Sequence, residues 1–230
     1  MPASLLINTQ LSLFFAQPLQ KPEDLWDDLR KSSLGSLFDQ TPRIQPVPNE
    51  PQYADVPVLQ MQSGRGHALS VSHMRAEFTY LHPHGPDVAD DAPWLDVFAR
   101  FFAFFDEQLV IRRIGFVKRF FVESVNPPVE IAELFRFDPV KTQGGAVHEA
   151  GLRFVTRDRF GSFIINNFTS VEQATATGSN GRVMQGFLVL RDVNTAPEEN
   201  YLFDADTMSR FFADAEEMTR RGVENLLKKD

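Results

Sequence analysis

The chain has 230 residues, a net charge of −8 and no cysteine. That length allows one large domain or two intimate halves, either with a substantial core. The acidic balance argues against non-specific binding to nucleic acid or to an anionic membrane, which needs a basic footprint. The lack of cysteine excludes disulfides, thiol nucleophiles and thiolate metal sites.

Leu5 to Ala16 alternates Leu5, Ile7, Thr9, Leu11, Leu13 and Phe15 against a more polar set, and reads as a strand. It reads as a strand rather than a signal peptide, because the start lacks a basic region and Asn8 and Gln10 interrupt the apolar run. No apolar run approaches membrane-spanning length, and the lack of cysteine fits the cytoplasm, the expected location. Pro22, followed by Glu23 and Asp24, starts a short helix with Leu25, Trp26 and Leu29 inside. The proline-rich stretch from Gly35 to Pro57 reads as a long loop. Val58 to Gln62 and His67 to Leu81 read as a hairpin about the turn Ser63-Gly64-Arg65-Gly66.

A Pro- and Asp-rich loop from His82 leads to a helix from about Asp91 to Gln108. Its apolar residues cover most of its circumference, so it must be covered on more than one side. Trp94, Phe101, Phe104 and Phe105 are the candidates for an outer interaction surface. Leu109 to Ser124, LVIRRIGFVKRFFVES, reads as a central strand with cations on both faces. Pro127-Pro128 precedes a short helix around Val129 to Phe135. Val147 to Arg157, Gly161 to Gln173 and Arg182 to Asp192 read as a meander. Asp204 or Asp206 caps a last helix ending near Lys228.

The chain contains 22 Phe against 3 Tyr and 2 Trp. Phe adds apolar area with no polar tip, so this usage favours dry packing, in a core first and otherwise in an apolar client groove or subunit interface. Residues 1–109 hold 7 Lys/Arg and 14 Asp/Glu, and residues 110–230 hold 16 and 17. The acidic excess therefore sits in the first part.

Two segments echo one another. Phe14-Phe15-Ala16 through Pro22, Leu25 and Leu29 lines up with Phe120-Phe121-Val122 through Pro128, Ile131 and Phe135. Ala99-Arg100-Phe101-Phe102-Ala103 lines up with Ser209-Arg210-Phe211-Phe212-Ala213. The expected fold is α+β: two similar halves, residues 1–108 and 109–230, each an antiparallel sheet closed by a long helix.

Arg113-Ile-Gly-Phe-Val-Lys-Arg119 after a Phe-rich helix, with Gly186-Phe-Leu-Val-Leu-Arg-Asp192 before the last helix, resembles a sporadically distributed, largely uncharacterised bacterial family with an Arg-Ile-Gly strand motif. Phe116-Val117-Lys118 departs from the family's Leu-Arg-Tyr, and Phe211-Phe212 from its usual polar helix start. The order of elements in each half is also similar to the export chaperone SecB. The resemblances imply a chaperone-like module, and the family resemblance hints at a toxin–antitoxin or defence setting.

Candidate sites are few. His82-Pro-His84 with Asp87, Asp90 and Asp91 offers metal-ligand types without an evident supporting shell. Asp192, Asn194, Glu198, Glu199, Asp204 and Asp206 lack the glycine and spacing of a calcium loop. His148-Glu149 is not followed by a zincin histidine, and Lys141-Thr142-Gln143-Gly144-Gly145 reverses the order of a phosphate loop. No catalytic, cofactor or metal site is therefore assigned. Arg112, Arg113, Lys118 and Arg119 form a candidate anion site, or else pair with carboxylates. The expected function is non-enzymatic: a protein-interaction module holding an apolar or extended polypeptide. Its expected partner is another protein or a second copy in a homodimer. The alternative is a small-molecule-binding protein or enzyme with a pocket between the halves.

Overall fold

The computed structural model describes residues 4–82, 93–134, 147–177, 181–199, 201 and 203–227. The fold is mixed α+β, built on one open antiparallel sheet. Its strands are β1 (Ser4–Phe15), β2 (Arg43–Ile44), β3 (Leu59–Gln62), β4 (His67–Val71), β5 (Arg75–Leu81), β6 (Ile111–Glu123), β7 (Gly151–Phe160), β8 (Phe163–Thr177) and β9 (Val183–Thr195). They lie in the order β2-β3-β4-β5-β1-β6-β9-β8-β7. From the central β1–β6 pair outwards, the order reads β1-β5-β4-β3 on one side and β6-β9-β8-β7 on the other. Among the described residues, four α-helices accompany the sheet: α1 (Leu25–Lys31), α2 (Pro93–Asp106), α3 (Pro127–Leu134) and α4 (Ala205–Leu227).

Strand alternation sorts the side chains to two faces. Leu11 stands opposite Phe116 and Leu13 opposite Ile114, all four in the main core. That face carries Phe78 of β5, Ile165 of β8 and Val193 of β9, and packs against Leu29 of α1, Phe98 and Phe101 of α2, and Phe211 and Phe212 of α4. A second cluster joins Val122, Val171, Phe187 and Val189 to Ile131 of α3 and Val223 of α4. The other face carries Asn8, Gln10 and Ser12 of β1 against Arg119, Val117 and Gly115 of β6. Among the described residues, no helix packs on it.

Three expectations change. The run His67 to Leu81 is two strands, not one. Ser72 Oγ accepts from the backbone N–H groups of Met74 (3.3 Å) and Arg75 (3.1 Å), which turns the chain without glycine or proline. His73 then points inward, with Nδ1 2.7 Å from Leu19 O and Nε2 3.1 Å from Val47 O. The long 35–57 stretch is not wholly loop: it supplies β2, whose Ile44 pairs with Leu59. Phe15 and Phe121 also prove inequivalent. Phe15 stacks on Phe105 beneath the helices, at 5.8 Å. Phe121 pairs with Leu5 and Leu188 and points to the opposite face. Side-chain direction has period two, so matching the two Phe-Phe pairs residue by residue reverses the faces.

Candidate functional site

A groove with an apolar floor lies between α2 and α4. The two helices run antiparallel: Phe98 meets Phe212 at 5.9 Å, and Asp106 at the end of α2 feels Asp204 at the start of α4. The helices need an amphipathic face to rest on the sheet, and Phe98, Phe101, Phe211 and Phe212 provide it. The exposed residues along the gap between them are small. Ala99 and Ala103 on α2 face Ser209 and Ala213 on α4 across a groove of about 390 Å³. Its floor is Phe102, Met208 and Phe212, only 3%, 2% and 4% exposed. Long charged side chains at the four small positions would close it. One end is acidic, with Asp106 and Glu107. Partial desolvation, then the charges of Asp204 and Glu107, push the Asp106 carboxyl above its ordinary value.

The aromatic surface expected on α2 is corrected by this packing. Phe101 and Phe105 are fully buried. Phe101 packs on Phe78 at 5.7 Å and Phe105 on Phe15. Phe104 is half-buried against the edge of Phe105 at 5.1 Å. The side chain of Trp94 lies outside the described residues. The surplus apolar circumference of α2 is taken up by the sheet on one side and by α4 on another. What remains outward is the Ala99–Ala103 strip, which sequence reasoning passed over because alanine carries no strong apolar signal.

The four candidate cations do not converge. Lys118 lies under α4 and pairs with Glu216. Arg112 is exposed near Pro197 O. Arg113 and Arg119 share the helix-free face but six residues apart, so they grip different partners. Arg113 donates to Asn194 Oδ1 at 2.8 Å and lies over the Phe14 ring at 4.6 Å. Arg119 donates to Asn8 Oδ1 and Gln10 Oε1, at 3.0 and 3.1 Å. Gln10 in turn donates to Glu77 at 3.1 Å, and Arg75 lies 3.5 Å from Glu77. The result is a polar ladder across β5, β1, β6 and β9, not an anion pocket.

Asp192 sits mid-ladder, opposite Val117 and accepting from Asn194 at 3.0 Å. Desolvation raises its carboxyl pKa, against the lowering effects of the Asn194 hydrogen bond and of Arg113 and Arg119. A carboxyl raised in the folded state contributes stability at pH below its unfolded value, and loses that contribution as pH rises through the folded value. Asp192→Asn should therefore raise the urea midpoint at neutral pH. The gain should vanish as acid protonates Asp192 in the wild type. A lower midpoint at neutral pH would mean that the two arginines outweigh burial.

The histidines divide as well. His82 Nε2 is 2.9 Å from Thr9 Oγ1, while His84, Asp87, Asp90 and Asp91 lie outside the described residues, as does 141–145. His148 lines a polar depression of about 500 Å³ with Asn126, Gln173, Thr175 and Gln185, at the start of α3. Those neighbours are amides and a hydroxyl, and among the described residues lining the depression there is no carboxylate to orient the imidazole. Asp204 accepts from Thr207 N at 2.7 Å and so caps α4, while Glu198 pairs with Arg157. Among the described residues, no three His, Asp or Glu side chains are grouped for metal binding. No described helix is long and apolar enough to cross a membrane. No protein-family model matches the chain, and no curated protein matches it.

Proposed function

We propose that this protein is a non-enzymatic interaction module, chaperone-like in character, that receives an apolar segment of another polypeptide in the α2–α4 groove. The observation that carries the reading is the alanine- and serine-walled groove over Phe102, Met208 and Phe212. Small residues at i and i+4 on both walls leave room for a close-packed helix or extended apolar segment. The acidic end at Asp106 and Glu107 opposes a second copy presenting the same surface, and favours a partner with basic residues there. We further infer that the two halves arose by duplication in the manner of SecB. The matching strand orders and the paired Phe-Phe steps on α2 and α4 support this.

Ala103→Trp and Ala213→Trp tests the reading, since both residues are exposed walls. Each variant should keep the wild-type circular dichroism and denaturation midpoint. Each should lose suppression of the aggregation of a thermally unfolded model client, followed by light scattering. Suppression equal to wild type in both would reject the groove. Static light scattering of the wild type decides separately between monomer and homodimer. A second reading, a small-molecule site, draws on the His148 depression. Its volume lies in the range of ligand pockets. A ligand released on denaturation and detected by mass spectrometry would favour it.

A further inference from the structure

A different surface, the edge of the sheet at β7, carries an inference of its own. The two ends of the sheet are finished differently. At one end β3 is covered by the two-residue β2, flanked by Pro42 and Pro46. Short edge strands with neighbouring prolines are a common protection against unwanted pairing. At the other end lies β7, ten residues long and paired only with β8 among the described residues. Its register with β8 is unbroken from Gly151↔Glu172 to Phe160↔Phe163, with no bulge to twist the edge away. Eight of its ten residues are exposed, including Phe154 at 38% and Val155 at 57%.

The side chains of β7 are ordered by charge. Arg153, Arg157 and Arg159 share the helix-free face, with Val155 among them; Leu152, Phe154 and Phe160 share the other. Arg153 lies over the Phe168 ring at 4.8 Å, and Arg157 reaches Glu198 at 2.9 Å. This is a basic strip on a chain whose net charge is −8. A second copy of β7 is a poor occupant. Antiparallel pairing about a two-fold axis would bring the arginine row against itself, and like charges opposite one another destabilise a sheet.

We propose that the outer side of β7 is a β-augmentation site for an extended partner segment that alternates acidic and apolar residues. Backbone groups of β7 pair with the incoming strand. Its acidic side chains meet Arg153, Arg157 and Arg159, and its apolar ones meet Leu152, Phe154 and Phe160.

The test uses two synthetic decapeptides, one alternating Glu and Val and the other alternating Lys and Val, with fluorescence anisotropy and amide hydrogen exchange of the whole protein. The Glu/Val peptide should bind the wild type and protect β7 amides, whereas the Lys/Val peptide should not bind. The variant Arg153→Glu/Arg157→Glu/Arg159→Glu should bind the Glu/Val peptide at least about tenfold more weakly and gain affinity for the Lys/Val peptide. The corresponding glutamine variant should bind both weakly, and Ala103→Trp should bind as wild type. The proposal is overturned if the wild type binds neither peptide, if charge reversal leaves the preference unchanged, or if binding occurs without protection of β7. Loss of peptide binding in Ala103→Trp would overturn it too, by placing the peptide in the groove.

Discussion

Phe98→Ala should destabilise the protein by about 3–5 kcal/mol, the usual cost of removing a buried aromatic ring. Phe98 is fully buried where the sheet and both long helices meet. Its ring meets Phe78 of β5 at 5.6 Å, Phe116 of β6 at 6.4 Å and Phe212 of α4 at 5.9 Å. Phe116 and Phe212 also touch each other, at 6.2 Å. Neighbours held by one another in this way cannot collapse into the space left by the ring. The residual cavity therefore adds to the lost transfer energy. Chemical denaturation should show a midpoint well below wild type at an unchanged slope. A midpoint near wild type would mean that α2 is not anchored through Phe98.

Those contacts explain the phenylalanine usage. The main core joins strands on both sides of the β1–β6 pair to α2 and α4. Rings without polar tips suit that position, because they need no hydrogen-bond partner. The groove follows from the same packing. Once Phe98, Phe101, Phe211 and Phe212 face inward, successive turns of each helix leave Ala99, Ala103, Ser209 and Ala213 outside.

Much of this was legible in the sequence. Alternation marks β1, and the Phe-rich periodicity marks α2 and α4. Prolines mark the 3-10 turn that leads into α1 and the start of α3. What escaped has physical causes. Hydrophobic periodicity gives an angle around a helix, but not what packs at that angle. So Phe101 and Phe105 looked like surplus surface, when they are fully buried against Phe78 and Phe15 of the sheet. The turn between β4 and β5 rests on the Ser72 hydroxyl, inside a run of strand-forming residues. The opposite facing of Phe15 and Phe121 is a matter of single-residue register, which a motif match does not see. Arg113 and Arg119 were visible as cations on a strand. Their partners, Asn194 and Asn8, are far away in sequence and come together only in the folded sheet.

Glu216→Leu should cost about 3–5 kcal/mol, more than replacing its partner, because it takes the carboxylate away from a buried ammonium group. The Lys118 side chain is 3% exposed between β6 and α4, where its ammonium group pairs with Glu216. Directly across the strands, Lys118 is opposite Arg191, also buried and held by Thr169 and Asn167. Burial lowers the pKa of Arg191, which reports an environment hostile to positive charge. Without the Glu216 carboxylate, Lys118 and Arg191 face each other as like charges in a poorly solvated layer. Lys118→Met should do less harm, since Glu216 is more exposed, at 25% for its side chain, and Arg191 remains nearby. The double variant Lys118→Met/Glu216→Leu should regain most of the stability lost in Glu216→Leu, because an apolar pair of similar volume replaces the ion pair. Denaturation midpoints of the four proteins close a double-mutant cycle, and the expected coupling is large and favourable to the native pair. A Glu216→Leu protein as stable as wild type would show that Lys118 reaches solvent or another acceptor, and that the layer under α4 is wetter than its packing implies.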